Sequence, residues 1–196
     1  MKNIVRILAL FFIASSLSSC SYNSMIEKRE AVSKQWANVE SSYQRRSDLI
    51  PNLVSTVKGE ANFEQQTLTD VIQARASATS IKLDPSKLSP DDIKKFDQAQ
   101  GQLTGSLSRL LVSVEKYPDL KSNEAFTGLM AQLEGTENRI NTERNRFNEA
   151  VNDYNTTIQK FPANITARMF GFQEKGYFES APGSDKAPTV NFNNTK

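Results

Sequence analysis

Five charged side chains stand where helical spacing calls for apolar ones: Arg46, Glu64, Arg75, Glu137 and Arg144. Gln100 is a sixth, neutral case. A buried charge is costly unless paired, so these groups are expected to meet, with Glu137 reaching Arg46 or Arg75. Two roles suit such a layer. It can hold a small ligand or ion inside the helical core. It can also fix helix register as a salt-bridge layer whose edge members reach water. Catalysis has little to work with. The chain has no His and one Cys. That removes His-based triads, His zinc sites, the Glu-x-x-His ligands of di-iron bundles and internal disulfides. Glu124, Glu134, Glu137, Glu143 and Glu149 are scattered rather than paired. No phosphate-binding Gly loop is present. The expected sets of catalytic, cofactor and metal residues are empty.

The single Cys offers different chemistry. Lys2 and Arg6 form a short basic start, and residues 7–17 (ILALFFIASSL) form an apolar run of 11. A bilayer crossing needs about 20 apolar residues, so this run fits an export signal better than a span. Small residues Ser18 and Ser19 then lead into Cys20. The pattern resembles a bacterial lipoprotein signal, whose Cys thiol takes a diacylglycerol before cleavage makes it the first residue. Acyl chains, at about 0.8 kcal/mol per buried CH₂, give durable membrane attachment. A lone exported thiol also suits acylation. Ser21, rather than Asp, resembles an outer-membrane address in envelopes that sort by that position. The formal charge of +2 comes from 24 basic and 22 acidic residues. Residues 1–19 hold Lys2 and Arg6 and no acid, so their removal leaves 22 of each. A neutral mature chain has no bulk attraction for nucleic acid.

Four helices must position the charged stripe. From Val32 the period runs through Trp36, Val39, Tyr43, Arg46, Ile50, Leu53 and Val57, and passes through Pro51 in register. That predicts a kinked helix over 24–58, with a chain reversal near Pro51 left open. Gly59 ends it, and Asn62 with Gln65 can cap a second helix over 63–80. Its stripe is Ala61, Glu64, Leu68, Val71, Arg75 and Ala78. A third helix over 91–116 starts at Ser89 and Pro90, with Asp91 and Asp92 at its positive end. It carries Leu103 and Leu107, and Gly101-x-x-x-Gly105 permits close helix contact. A fourth over 123–160 has the longest stripe: Phe126, Met130, Leu133, Glu137, Ile140, Arg144, Phe147, Val151, Tyr154 and Ile158. Its 3.5-residue period is a coiled-coil-like seam. A short helix is expected at 165–172. The fold class is all-α, an up-and-down four-helix bundle with long, partly kinked helices. Trp36, Leu53, Leu68, Leu107, Ile140, Phe147 and Tyr154 are expected to be buried.

Several blocks resemble the LemA family: Trp36 with Arg45-Arg46-Ser47-Asp48-Leu49-Ile50-Pro51-Asn52-Leu53-Val54, then Val57-Lys58-Gly59, Glu64 and Ala74-Arg75. Tyr117-Pro118-Asp119-Leu120-Lys121, Leu133-Glu134-Gly135-Thr136-Glu137-Asn138-Arg139-Ile140 and Asn145-Arg146-Phe147-Asn148 continue the series. Tyr154-Asn155, Phe161-Pro162, Phe170-Gly171-Phe172 and Tyr177-Phe178 complete it. The resemblance covers about residues 24–179. It implies a membrane-anchored, up-and-down helical bundle facing away from the cytoplasm, and carries over no catalytic residue or cofactor. The resemblance also implies, for many relatives, an uncleaved membrane helix where this sequence has Cys20.

The expected organisation is a signal peptide at 1–19, a lipidated tether at 20–23, a helical domain at 24–179 and a flexible tail at 180–196. The expected function is a non-enzymatic envelope lipoprotein acting as scaffold or adaptor for an unidentified envelope protein. The alternative is a lipoprotein binding a small ligand or ion in its polar layer. The expected partners are the bilayer, through acylated Cys20, and that envelope protein. Nucleic acid is not among them. The expected location is the cell envelope, the outer membrane in a Gram-negative cell.

Overall fold

The computed structural model describes residues 2–59 and 63–179, with side chains described from Ser21 onward. Within these the chain is all-α, with six helices and no strand. They are α1 (Lys2–Lys58), α2 (Gln65–Ser80), α3 (Pro90–Val114), α4 (Pro118–Lys121), α5 (Glu124–Gln159) and α6 (Ala163–Met169).

Two of the long helices begin on strong caps. Ser89 caps α3 in a reciprocal box: its hydroxyl accepts from the Asp92 N–H at 3.2 Å, and its own N–H donates to Asp92 Oδ2 at 3.2 Å. Pro90 fills the first turn, where its missing N–H costs nothing. Asn123 Oδ1 accepts from the N–H groups of Ala125 and Phe126 and starts α5. The Asn62 cap lies outside the described residues, and α2 starts at Gln65 without a side-chain cap. Pro118 opens the short α4, which the apolar period did not announce.

One expectation about α1 is met and another changes. The helix runs through Pro51 without interruption, so there is no reversal. Residues 20–23, expected as tether, lie inside this helix. The Tyr22 ring packs 4.8 Å from Phe170 and 5.8 Å from Phe172.

Side-chain contacts set the directions. Lys28 meets Asp153 at 3.2 Å, Gln35 meets Glu143 at 2.7 Å and Arg46 meets Glu137 at 3.0 Å, so α5 runs antiparallel to α1. Trp36 packs on Phe96 at 5.1 Å and Arg46 bonds Thr104, so α3 runs parallel to α1. Arg75 bonds Ser47 and Gln100 bonds Ala78, which aligns α2 against both.

Two apolar cores result. The first holds Met25, Trp36, Tyr43, Phe96, Ile140, Phe147, Tyr154 and Phe178. The second holds Ile50, Leu53, Leu68, Leu103, Leu110, Val114 and Leu133. Trp36, Leu53, Leu68, Ile140, Phe147 and Tyr154 are buried as expected; Leu107 is only half-buried, at the edge of the second core. Gly101 and Gly105 are not at a close helix contact, since a Cβ at Gly101 would meet nothing within 4 Å. Both glycines line a shallow groove between α2 and α3.

After α6 the chain turns at Gly171, whose φ of 71° suits a residue without Cβ. It then runs extended along α5. Asn155 donates to the Lys175 carbonyl and accepts from the Lys175 N–H, each at 2.9 Å. Asn148 does the same for Phe178, again at 2.9 Å. The two asparagines, seven apart on one face of α5, hold this segment as a neighbouring strand would. Gly176 crosses the loop before α3 so closely that a Cβ would sit 2.6 Å from Pro90 Cα. The segment delivers Phe178 into the first core, where it stacks on Trp36 at 6.2 Å and meets Phe147 at 5.4 Å.

Candidate functional site

The polar layer forms the boundary between the two cores. On α1, Arg46 lies between Tyr43 of the first core and Ile50 of the second. On α3, Gln100 lies between Phe96 and Leu103 in the same way. Glu137 lies between Ile140 and Leu133 on α5.

Arg46 is the hub and is 2% exposed. Its Nη1 donates to Glu137 Oε2 and Thr104 Oγ1, both at 3.0 Å. Its Nη2 donates to Gln100 Oε1 at 2.6 Å. The guanidinium lies over the Tyr43 ring, 5.0 Å from its centroid. Gln100 passes the chain on, donating to the Ala78 carbonyl of α2 at 3.4 Å. One arginine thus ties α1, α3 and α5 directly, and α2 through Gln100. The Glu137–Arg46 pair is one of the two anticipated, but it is asymmetric: the Glu137 side chain is 44% exposed and that of Arg46 3%.

Arg75 is half-buried and pairs with no acid among the described residues. Its Nε donates to the Ser47 carbonyl at 2.8 Å. Ser47 lies four residues before Pro51, which has no N–H to give that carbonyl. Arg75 therefore supplies the hydrogen bond that Pro51 removes, and α1 can continue. Arg75→Ala should cost about 1–3 kcal/mol, the usual cost of orphaning a buried acceptor. In a Pro51→Ala background, which restores the N–H, that cost should largely vanish. A double-mutant cycle by urea unfolding measures this, and a coupling near zero would sink the assignment.

Arg144 lies at the edge of α5. It pairs with Asp97 at 2.9 Å, bonds Tyr43 Oη and the Glu179 carbonyl, and lies 4.5 Å over the Phe178 ring. Tyr43 is thus flanked by two guanidiniums. Burial nevertheless pushes its phenol above the usual tyrosine range, against the pull of Arg144 and Arg46.

Glu64 does not belong to the layer. It is exposed and pairs with exposed Lys116 at 3.3 Å. Its carboxyl is held below the usual range by hydrogen bonds from Lys116 and Thr67. It precedes the first residue of α2, so the helical period that chose it does not apply there. The side chain of Cys20 lies outside those described.

Sequence reading passed over Glu143, 5% exposed, which accepts from Gln35 at 2.7 Å and from Arg146 at 3.0 Å. It also passed over Lys175, 4% exposed, whose Nζ donates to the Pro85 and Ser86 carbonyls at 3.0 Å. Burial pushes its pKa below the usual lysine range. Lys175 borders a cavity of about 260 Å³ shared with Arg29, Tyr154 and Phe172. This is small for an organic ligand, since such sites usually hold about 300–1,000 Å³. Neither that cavity nor the α2–α3 groove is lined by the Arg46 layer.

Sequence comparison places this arrangement among known proteins. A LemA family profile matches residues 35–192. Magnetosome protein MamQ 2 of Paramagnetospirillum magneticum is 28% identical, over 89% of this chain and 70% of its own length. Magnetosome protein MamQ of Magnetospirillum gryphiswaldense is 26% identical, over 84% and 66%. Protein LemA of Metamycoplasma hominis is 22% identical, over 81% and 69%.

Proposed function

The chain belongs to the LemA family, and from that premise we propose a membrane-anchored envelope lipoprotein whose four long helices form an up-and-down bundle serving as a non-enzymatic scaffold or adaptor. Its client is another envelope protein. Family membership and the named relatives support a membrane-associated helical protein. One observation carries the scaffold reading over ligand binding: Arg46 spends both terminal nitrogens on Glu137, Thr104 and Gln100, across three helices. With both terminal nitrogens satisfied and only the buried Nε unpaired, the arginine locks a shape and leaves little to offer a ligand. No helix among the described residues is long and apolar enough to cross a membrane, and acylated Cys20 serves as the anchor.

Cys20→Ser tests the anchor and the role together. It should leave an unprocessed precursor, abolish labelling by radioactive fatty acid, and remove the client recovered by crosslinking intact envelopes. Normal processing of the variant would defeat the lipoprotein anchor. Wild-type protein that copurifies with a saturable small ligand and crosslinks to no envelope protein would favour the polar-layer alternative.

A further inference from the structure

We propose that the face formed by Phe161, Ile165, Met169 and Phe170 rests in the interfacial layer of the bilayer, so that the domain sits on its membrane through α6. This inference rests on the membrane-anchored reading and adds the surface that meets the lipid.

The helix α6 is oriented against the usual rule for a domain in water. Its small residues Thr166 and Ala167 are buried, while its large apolar ones point out. Phe161 is 80% exposed, Ile165 55%, Met169 76% and Phe170 59%. The spacing 165, 169 keeps two of them along one side of α6, and Phe161 and Phe170 adjoin its two ends. Of the seven large apolar side chains exposed among the described residues, these four fall within one ten-residue stretch. Clustered exposure of this kind marks an interaction surface, whereas scattered residues do not.

Its position selects lipid as the occupant. Tyr22 is two residues past Cys20, and its ring lies 4.8 Å from Phe170. The apolar face therefore begins where the chain leaves its anchor. The far core, around Val57, lies about 50 Å along α1 at 1.5 Å per residue. Lys160 and Arg168 flank the face, and neither forms an ion pair with a described residue. Apolar and aromatic side chains beside two cations suit the boundary between acyl chains and anionic headgroups.

The test uses the full-length protein in vesicles of phosphatidylethanolamine and phosphatidylglycerol. Cys20 is the only Cys, so its acylation leaves the wild type without a reactive thiol. Ile165→Cys, Met169→Cys and Val112→Cys are each labelled with an environment-sensitive nitrobenzoxadiazole dye. Val112 is 70% exposed and adjoins the far core. The expected result is a blue-shifted emission at 165 and 169, quenched several-fold more than at 112 by lipids carrying nitroxide near the headgroup. Equal quenching at all three sites, in protein that still floats with the vesicles, overturns the docking face and leaves the anchor intact. Labelled wild type, or protein that fails to float, overturns the anchor and this inference with it. A blue shift without lipid quenching, lost when unlabelled protein is added in excess, assigns the face to a second copy and overturns the proposal.

Discussion

Arg46→Ala should lower stability by about 3–5 kcal/mol, combining a large-to-small change in a packed site with the orphaning of Gln100. The Gln100 amide oxygen receives the shortest bond of the layer and is itself buried, so no water replaces the guanidinium. Glu137→Gln should cost far less, about 1 kcal/mol, because Glu137 is half in solvent and a neutral carbonyl can still accept. Urea unfolding of both variants gives the comparison. Equal costs would mean that the ion pair, rather than Arg46 with its neutral partners, organises the layer. A near-wild-type Arg46→Ala would mean that the boundary between the cores tolerates a hole.

The second large effect belongs to the last aromatic among the described residues. Phe178→Ala should cost about 3–5 kcal/mol, as for other buried phenylalanines. Phe178 is 4% exposed and meets Trp36, Phe96 and Phe147. It also forms the platform beneath Arg144. Trp36 is the only tryptophan, so its emission reports the loss directly and should shift to the red. Tyr177→Ala is the control. Its ring is 42% exposed, and loss of its contact with Asn155 should cost about 1 kcal/mol. If both variants unfold alike, the segment is held by its backbone bonds to Asn148 and Asn155, and the aromatic insertion is secondary.

The helical period made some of this legible before any coordinates. It found Trp36, Ile140, Phe147 and Tyr154, and it placed Glu137 opposite Arg46 or Arg75, because these stripes face a partner helix. It erred by one residue on α5. Thr136 and Glu143 are the buried members, while Glu137 and Arg144 lie at the edge. A 3.5-residue template cannot choose between positions that flank the true seam of a 3.6-residue helix. Arg75 looked like a charge seeking an acid; its partner is a carbonyl freed by a proline on another helix, and side-chain patterning carries no record of backbone acceptors. Lys175, Asn148 and Asn155 were invisible for the same reason. Their partners are main-chain groups of an extended segment and of the α2–α3 loop, which have no period.

The extended segment also sets an order of events in the life of the chain. Trp36 is made long before Phe178, yet they share one core. Until the extended segment is available, that half of the molecule lacks the aromatic ring that fills it and both backbone clasps on α5. A contact between residues so far apart in sequence is slow to form, because loop closure must precede any gain from packing. The half around Leu53, Leu103 and Leu110 needs nothing beyond α5 and can consolidate first. A polypeptide built this way stays incomplete, and therefore easy to thread, until the segment carrying Lys175 and Phe178 arrives.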